Sequence, residues 1–211
     1  MDGAARHDLS PAGVIAAIVL AAGASTRMGR QKLTLPMADG RPLVRAAVEQ
    51  VLAAGLDDVV VVLGREAEAV ATALEGLPVR TVVNTHYAEG QSTSLRAGLD
   101  ALRAGTAAAV VALGDQPLPD PQVIRRLVEA FRTSGRPIAA PVYRDGRGNP
   151  VLFAASLFDE LRGVQGDRGG RPVIARDPQR VAEVPVDARM PADIDTPQDY
   201  EAARRARPPR E

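Results

Sequence analysis

Short apolar runs without hydrophobic alternation are the feature that most constrains the fold of this chain. Residues 59–63 read VVVVL, and comparable runs occupy residues 14–20 and 108–113. A strand whose consecutive side chains are all apolar is buried on both faces, as in a parallel sheet that helices cover on each side. The runs therefore predict the central strands of such a sheet.

Segments with helical periodicity separate these runs. After Pro42, apolar residues recur at helical spacing until Gly55, so a proline and a glycine mark the two ends of an amphipathic helix. The same reasoning predicts helices over about 66–74, 93–102, 121–131 and from Pro197, and strands over about 79–83, 137–140 and 150–153. Strands that alternate with helices through short connections predict an α/β fold with a doubly wound, mostly parallel, Rossmann-like sheet.

One domain is predicted to extend over residues 13–206. The chain has 211 residues, which is enough for one large domain with a full core. Residues 1–12 are expected to form a flexible leader, and residues 207–211 a flexible tail. The Gly-, Arg- and Asp-rich segment 144–149 interrupts the alternation, so we expect a small elaboration of the fold after residue 141.

The composition excludes some kinds of chemistry and of partner. Lys and Arg together number 26, as do Asp and Glu, so no overall charge favours a nucleic acid or an anionic membrane as partner. The absence of cysteine excludes disulfides, thiol nucleophiles and thiolate metal sites, and is compatible with a cytoplasmic protein. The longest apolar stretch, residues 14–22, is too short to span a bilayer.

A glycine-containing loop follows the first predicted strand. It reads AAGASTRMGRQK, with small residues around Gly23 and two cations, Arg27 and Lys32. Such a loop can bring backbone N–H groups against a polyphosphate while the cations neutralise its charge. The loop therefore predicts a nucleotide-phosphate site, with solvated loop cations as the alternative for Arg27 and Lys32.

Two acidic motifs lie near later predicted elements. Asp115 lies in GDQP directly after the run at 108–113, and Asp193 and Asp195 lie in DIDTP before the last predicted helix. Ligands of doubly wound sheets bind beyond the carboxyl ends of the strands, and Mg²⁺ takes one or two carboxylates there, completing its shell with phosphate and water. Each motif also has a structural alternative, because Asp115 can cap a turn and Asp195 can cap the helix.

These motifs resemble those of a known family. LAAGxSxRMGxxK, GDQP and DIDTPxDY are similar to motifs of the nucleotidyltransferases of the molybdenum-cofactor type, and most of all to the molybdenum cofactor cytidylyltransferases. Three further segments fit the same family in the same order: residues 90–95 (GQSTSL), 148–153 (GNPVLF) and 166–171 (GDRGGR). The resemblance covers about residues 14–203, and several motifs in the right order support both the fold and the reaction type.

The resemblance implies transfer of a nucleoside monophosphate, CMP from CTP, to a phosphorylated acceptor such as molybdopterin cofactor, with release of pyrophosphate. The implied cofactor is Mg²⁺, with Mn²⁺ as an alternative. The implied partners are CTP or another nucleoside triphosphate, a phosphorylated pterin, and a molybdenum enzyme or its maturation chaperone. Because the nucleophile is already an anion, catalysis needs charge neutralisation and in-line placement rather than a histidine or cysteine.

Each predicted site residue has a role in this scheme. The catalytic residues are Arg27, Lys32 and Asp115. The metal ligands are Asp115, Asp195 and, as a weaker candidate, Asp193. The nucleotide-binding residues are Leu20, Ala21, Ala22, Gly23, Arg27, Lys32, Ser94 and Asp115. The acceptor-binding residues are Asn149, Arg168 and Arg171, and a solvated loop is the alternative for the two arginines.

Four positions bear on the choice of substrate. The family usually has Met where Gln91 stands, His where Asn149 stands and Ala where Gly170 stands, and these departures concern the acceptor more than the chemistry. The first loop has Ala22 before Gly23 rather than a double glycine, which resembles the cytidylyl branch and favours CTP over GTP.

Other functions compete with this interpretation. Within the class, a guanylyltransferase or a sugar-phosphate nucleotidyltransferase would use the same local chemistry. An NAD(P)-dependent oxidoreductase would use a similar sheet, with Arg65 on a ribose 2′-phosphate, but Gly23 and Gly29 do not form G-x-G-x-x-G. The remaining rival is a non-catalytic nucleotide-binding partner of a molybdenum enzyme. His86 is predicted to be structural or to lie at the rim of the site rather than to act as an acid or base.

Overall fold

The computed structural model describes residues 13–23, 28–29, 31–116 and 120–205. The strands in these ranges are β1 (Val14–Ala21), β2 (Asp58–Leu63), β3 (Arg80–Val83), β4 (Thr106–Leu113), β5 (Ile138–Tyr143), β6 (Gly146–Arg147), β7 (Val151–Ala154) and β8 (Val181–Pro185). The helices are α1 (Leu43–Ala53), α2 (Ala67–Ala73), α3 (Gln91–Asp100), α4 (Pro121–Ser134), α5 (Phe158–Arg162), α6 (Arg171–Arg176) and α7 (Pro197–Arg205). None of these helices has the length and apolar character that crossing a membrane requires. The predicted leader and tail lie outside the described residues.

A single mixed sheet contains all the described strands. Its order is β3-β2-β1-β4-β7-β5-β6, and β8 pairs with β5. The first four strands of this order are parallel, β7 is antiparallel to both β4 and β5, and β8 is parallel to β5. This topology confirms the mostly parallel sheet that the alternation of strands and helices predicts.

Helices cover both faces of the sheet, as the unbroken apolar runs predict. On one face, Ile15, Ala17 and Val19 of β1 belong to a core that includes apolar residues of α1, α2 and α4. On the other face, Ile18 and Leu20 belong to a core with residues of α3, α5 and α6. β2 is buried along its whole length, so the doubly wound prediction is confirmed.

The second half of the sheet departs from simple alternation. β5 and β6 form a hairpin, and β7 then inserts between β4 and β5. The sequence predicts β7 and the interruption over residues 144–149, but it does not predict β6, β8, α5 or α6. β6 has two residues, α5 five and α6 six, and elements this short produce no clear hydrophobic period.

The strand order reverses beside β1, and this reversal positions the site. From β1 the chain passes through α1 and α2 to β2 and β3, and α3 then returns it to β4 on the other side of β1. In open α/β sheets, ligands bind in the crevice outside the carboxyl ends of the strands at such a point. The site is therefore expected beyond the carboxyl ends of β1 and β4.

Candidate functional site

A cleft of about 610 Å³ opens beyond the carboxyl ends of β1 and β4. Most of the predicted site residues within the described part of the chain line it: Leu20, Ala22, Gly23, Lys32, Ser94, Asp115, Asn149, Arg168, Arg171, Asp193 and Asp195. These residues come from segments far apart in sequence, and the fold brings them to one cavity. Arg27 lies outside the described residues, so its role stays a prediction.

Lys32 lies between two carboxylates at the centre of this cleft. Its ammonium donates hydrogen bonds to Asp115 Oδ2 at 2.7 Å and to Asp195 Oδ1 at 2.9 Å. The lysine side chain is only 8% exposed, whereas those of Asp115 and Asp195 are 24% and 39% exposed. A buried cation thus holds two carboxylates within two hydrogen-bond lengths of each other, and both remain accessible from the cleft.

The neighbouring carboxylates keep Lys32 positively charged. Burial lowers the pKa of the lysine, but the attraction and hydrogen bonds of Asp115 and Asp195 outweigh burial, and the net effect is a raised pKa. The ammonium is therefore protonated at neutral pH. It supplies a fixed positive charge in the cleft that Ala22 and Gly23 also line.

Asp193 has a different partner from Asp195. Gln116 Nε2 donates a hydrogen bond to Asp193 Oδ1 at 2.7 Å, and the backbone N–H of Ile194 donates to the carbonyl of Asp115 at 3.3 Å. Although Asp193 is open to solvent, partial burial of its carboxyl group and the charge of Asp115 raise its pKa. Two segments that are distant in sequence are thus tied together by side chain and backbone.

The cap of α7, which is the alternative role for Asp195, is formed by neighbouring residues. Thr196 Oγ1 accepts a hydrogen bond from Asp199 N at 3.2 Å, and Asp199 Oδ2 accepts one from Thr196 N at 2.8 Å. This reciprocal arrangement caps the start of α7. The hydrogen bonds from Thr196 lower the pKa of Asp199. With Thr196 and Asp199 as the cap, the carboxylate of Asp195 can turn to Lys32.

The two alanines at the end of β1 face opposite sides of the sheet. Leu20 and Ala22 line the cleft, while Ala21 belongs to the core on the opposite face. Side chains alternate along a strand, so the Ala21 side chain points away from the cleft. Only the backbone of Ala21 can contact a nucleotide there. A Cβ placed on Gly64 would lie 2.7 Å from the Ala22 methyl, so glycine at residue 64 lets that methyl fit.

Asn84 is a residue of the site region that the sequence analysis missed. It is buried directly after β3, where it donates hydrogen bonds to Thr93 Oγ1 at 2.8 Å and to Ser94 Oγ at 3.0 Å. It also accepts one from the backbone N–H of His86 at 2.9 Å. Asn84 thereby fixes the Ser94 hydroxyl at the cleft, and its position directly after a predicted strand is the signal that would have identified it.

The predicted acceptor residues lie where β7 and residues 166–171 border the cleft. The hydroxyl of Tyr143 donates a hydrogen bond to the carbonyl of Asn149 at 2.8 Å. Burial raises the pKa of Tyr143 to about 12, so this hydroxyl stays protonated as a donor. A Cβ on Gly170 would lie 2.6 Å from Phe153 Cζ, which accounts for glycine where the resembling family usually has alanine.

Comparison with known proteins decides the family. The MobA-like NTP transferase domain matches residues 17–182. The chain belongs to this family. The resemblance that the motifs carry is thereby confirmed, and the protein is an enzyme of the nucleotidyltransferase class.

Three relatives illustrate how far the similarity extends. Nicotine blue oxidoreductase of Paenarthrobacter nicotinovorans is 34% identical over 189 residues, which cover 86% of this chain and 92% of that protein. The crystal structure of Rv0371c from Mycobacterium tuberculosis has a TM-score of 0.83 at 32% identity, covering 92% of this chain and 100% of that one. Its complex with manganese has a TM-score of 0.80 at 30% identity, covering 92% and 99%. A nucleotidyl transferase from Methanothermobacter has a TM-score of 0.75 at 30% identity, covering 90% and 96%.

Proposed function

We propose that this protein transfers CMP from CTP to a phosphorylated acceptor, with molybdopterin cofactor as the first one to test, and releases pyrophosphate. The observation that carries the proposal is the buried Lys32 ammonium between Asp115 and Asp195, in the cleft that Ala22 and Gly23 also border. One cavity thus offers a positive charge for a triphosphate and two carboxylates for a divalent cation. The cytoplasm, where CTP is available, is the compartment we expect.

The reaction needs charge control more than acid–base chemistry. An oxygen of the acceptor phosphate attacks the α-phosphorus of CTP, the bond to the oxygen that bridges to the β-phosphate breaks, and pyrophosphate leaves with that electron pair. Lys32 and Arg27 would bind the triphosphate and neutralise the leaving group. Because two carboxylates hold Lys32 in place, its charge is oriented before substrate binds, and preorganised charge is an effective stabiliser of transition states. The remaining nucleotide contacts are assigned to Leu20, Ala21, Ala22, Gly23 and Ser94.

Asp115 and Asp195 are suited to hold a divalent cation, Mg²⁺ or Mn²⁺. Both contact one cation already, the Lys32 ammonium, so both can approach a single metal ion. In the described ranges, no group of three or more His, Cys, Asp or Glu side chains is assembled as a metal site. That fits an ion such as Mg²⁺, which arrives with phosphate and water as its other ligands. The bound ion would stabilise charge on the leaving pyrophosphate, and Asp193, engaged by Gln116, is the weaker ligand.

The manganese complex of Rv0371c supports a divalent cation in this family. The acceptor is assigned to Asn149, Arg168 and Arg171, because two guanidinium groups and an amide suit a phosphate-bearing ligand. A molybdenum enzyme or its maturation chaperone would receive a molybdopterin product. A sugar 1-phosphate as acceptor is the alternative within the same chemistry.

CTP is proposed over GTP because of Ala22. Ala22 borders the cleft, and alanine there in place of a double glycine resembles the cytidylyl branch. Turnover that favours GTP would contradict this choice and leave the transferase chemistry unaffected.

The test is a screen of the four nucleoside triphosphates with Mg²⁺ or Mn²⁺ and with phosphorylated pterin or sugar acceptors, in which pyrophosphate and the diphosphate product are measured. Production of both from CTP and molybdopterin supports the proposal. Tight nucleotide binding without pyrophosphate release for any acceptor would indicate a binding protein instead.

An oxidoreductase is the second candidate, because a relative named nicotine blue oxidoreductase is 34% identical and 92% of its length is covered. A fluorescence titration with NADPH separates the two activities. Saturable NADPH binding that CTP does not displace would favour the reductase, whereas CTP binding alone would favour the transferase.

A further inference from the structure

Residues 166–170 form a junction with the N-terminus of α3, which we call the α3 junction. The helix begins after Gly90, which has no side chain with which to cap it. Residues 166 and 167, on the other side of the junction, instead accept hydrogen bonds from the first two backbone N–H groups of α3. Asp167 Oδ1 accepts from Gln91 N at 2.9 Å, and the carbonyl of Gly166 accepts from Ser92 N at 3.0 Å. Unpaired N–H groups at a helix start need such acceptors.

Close backbone contacts make the α3 junction tight. Gly90 has φ +114°, and a Cβ there would lie 2.7 Å from the carbonyl carbon of Gly166 and 3.0 Å from Asp167 Oδ1. Gly169 has φ +50°, and its Cβ would lie 2.5 Å from Gln91 Oε1. Glycine is required at residue 90, because a Cβ there would meet the backbone of residue 166 and push the two segments apart, whereas a Cβ at residue 169 would meet the flexible end of the Gln91 side chain.

The junction lies directly beside the predicted acceptor residues. Arg168 is the residue after Asp167, and Arg171 begins α6 immediately after the junction. Both arginines line the cleft, as does Asp167. The Asp167 carboxylate is directed to the positive N-terminal end of α3, where a negative charge is favourable. The contact that the structure shows for the Asp167 carboxylate is thus with the helix and not with either arginine.

We propose that Asp167 is a positioning residue: through its hydrogen bond to α3 it holds residues 166–171 so that Arg168 and Arg171 face the acceptor. This proposal rests on the proposed transferase function. Asp167 is not assigned a contact with the reacting atoms, since the partner of its carboxylate is a backbone N–H of the helix.

The kinetic test compares Asp167→Ala with Asp167→Asn in CTP turnover with molybdopterin. Loss of the anchor in Asp167→Ala should raise the KM for the acceptor about tenfold and leave kcat and the KM for CTP within about twofold, because misplaced contacts weaken only the ligand they serve. Asp167→Asn keeps an oxygen that accepts from Gln91 N and should restore most of the acceptor KM. Equal impairment of the two variants would overturn the proposal, since it would mean that the charge itself acts on substrate.

A control comes from Asp177, whose side chain accepts a hydrogen bond from Gln179 N at 2.9 Å at the start of a short 3₁₀ helix, Pro178–Arg180. It does not belong to the described residues that line the cleft. Asp177→Ala should therefore leave both KM values unchanged. If it changed the acceptor KM as much as Asp167→Ala, the effect would be general destabilisation and the proposal would fail.

A second variant disrupts the α3 junction from the helix side. Gly90→Ala should raise the acceptor KM as Asp167→Ala does, and the double variant should be no worse than the stronger single one, because both remove the same contact. Gly135→Ala controls for backbone strain, since Gly135 has φ +66° with no neighbouring atom for a Cβ to meet. If the increase in acceptor KM of the double variant equals the product of the two single increases, the two residues do not share one anchor and the proposal fails.

Limited trypsin digestion tests the anchor without any substrate. Trypsin cleaves after Arg168 but not after Arg171, because Pro172 follows it, so the fragment made at Arg168 reports on the loop. Cleavage there should be several-fold faster in Asp167→Ala than in Asp167→Asn, both of which lack the carboxylate. If the wild type transfers no nucleotide but this difference appears, the anchor stands and the proposed function fails. Equal cleavage of the two variants would overturn the anchor even in an active transferase.

Discussion

Two charged clusters at opposite ends of the sheet differ in which partner is buried. At the amino end of β2, the Asp58 side chain is 4% exposed, and its partners Arg80 and Arg103 reach outward with 40% and 64% exposure. At the carboxyl ends of β1 and β4 the order is reversed. There the cation, Lys32, is buried, and the carboxylates of Asp115 and Asp195 are open to the cleft.

The reversal separates a stabilising ion pair from a site. Arg80 binds both oxygens of Asp58, at 3.1 Å and 2.5 Å, so the protein itself uses the accepting capacity of that carboxylate. A buried ammonium with accessible carboxylates instead leaves acidic oxygens within reach of a ligand. The prediction is that loss of the carboxylate in the first cluster changes stability, and that loss of a carboxylate in the second cluster changes activity.

Asp115→Ala should produce the largest effect. Turnover should fall by about a hundredfold or more, roughly 3 kcal/mol of transition-state stabilisation, because a carboxylate of the proposed metal site is lost. A steady-state assay of pyrophosphate release measures the loss of turnover, and thermal unfolding checks that the variant stays folded. A folded variant with near-normal turnover would remove Asp115 from the proposed metal shell.

Lys32→Met should lower stability in metal-free buffer by about 2 kcal/mol, since Asp115 and Asp195 would face each other without their common cation. Added Mn²⁺ should restore more stability to this variant than to the wild type, because a divalent ion can neutralise both carboxylates. Denaturant unfolding with and without Mn²⁺ is the measurement, and Lys32→Arg, which keeps the charge, is the control. No gain from Mn²⁺ in Lys32→Met would argue against one cation between the two carboxylates.

Asp58→Asn should lower the free energy of unfolding by about 1 kcal/mol at neutral pH and leave turnover unchanged, because a buried charge-assisted pair is weakened. The hydrogen bond from Arg80 lowers the pKa of Asp58 below its ordinary value in the folded protein. The stabilisation is therefore present at neutral pH and disappears as the pH falls below about 4, so the wild type and the variant should converge in acid. Urea unfolding across this pH range tests the trend, and a gap that widens in acid would contradict it.

His86→Ala should have the smallest effect. The imidazole lies 2.9 Å from Glu89 Oε1, but both side chains are exposed, so the loss of the pair should change stability by no more than about 0.5 kcal/mol. Turnover should stay within about twofold of the wild type over the whole pH range, because the proposed reaction needs no histidine. A lost limb in the pH–rate profile would assign His86 an acid–base role.

Much of the fold could be predicted because its signals are local. The unbroken apolar run of β2 identifies a strand buried on both faces, and Gly55, with φ +77° after α1, ends a helix as its position in the sequence predicts. These local sequence signals are missing where an element is short or where residues distant in sequence cap it. α3 begins at Gln91, two residues before its predicted start, because residues 166 and 167 accept hydrogen bonds from its first backbone N–H groups.

Hydrophobic period and motif order are written along the chain, so the sequence alone indicates the sheet class, the nucleotidyltransferase family and about half of the described residues that line the cleft. The pairing of Lys32 and Gln116 with individual carboxylates is set by the folded chain. Lys32 meets carboxylates 83 and 163 residues away, Gln116 engages Asp193, and Thr196 with Asp199 caps α7 so that Asp195 reaches the lysine. The physical reason is that a capping residue and a ligand have the same chemistry in sequence, and only the geometry of competing hydrogen-bond partners tells them apart.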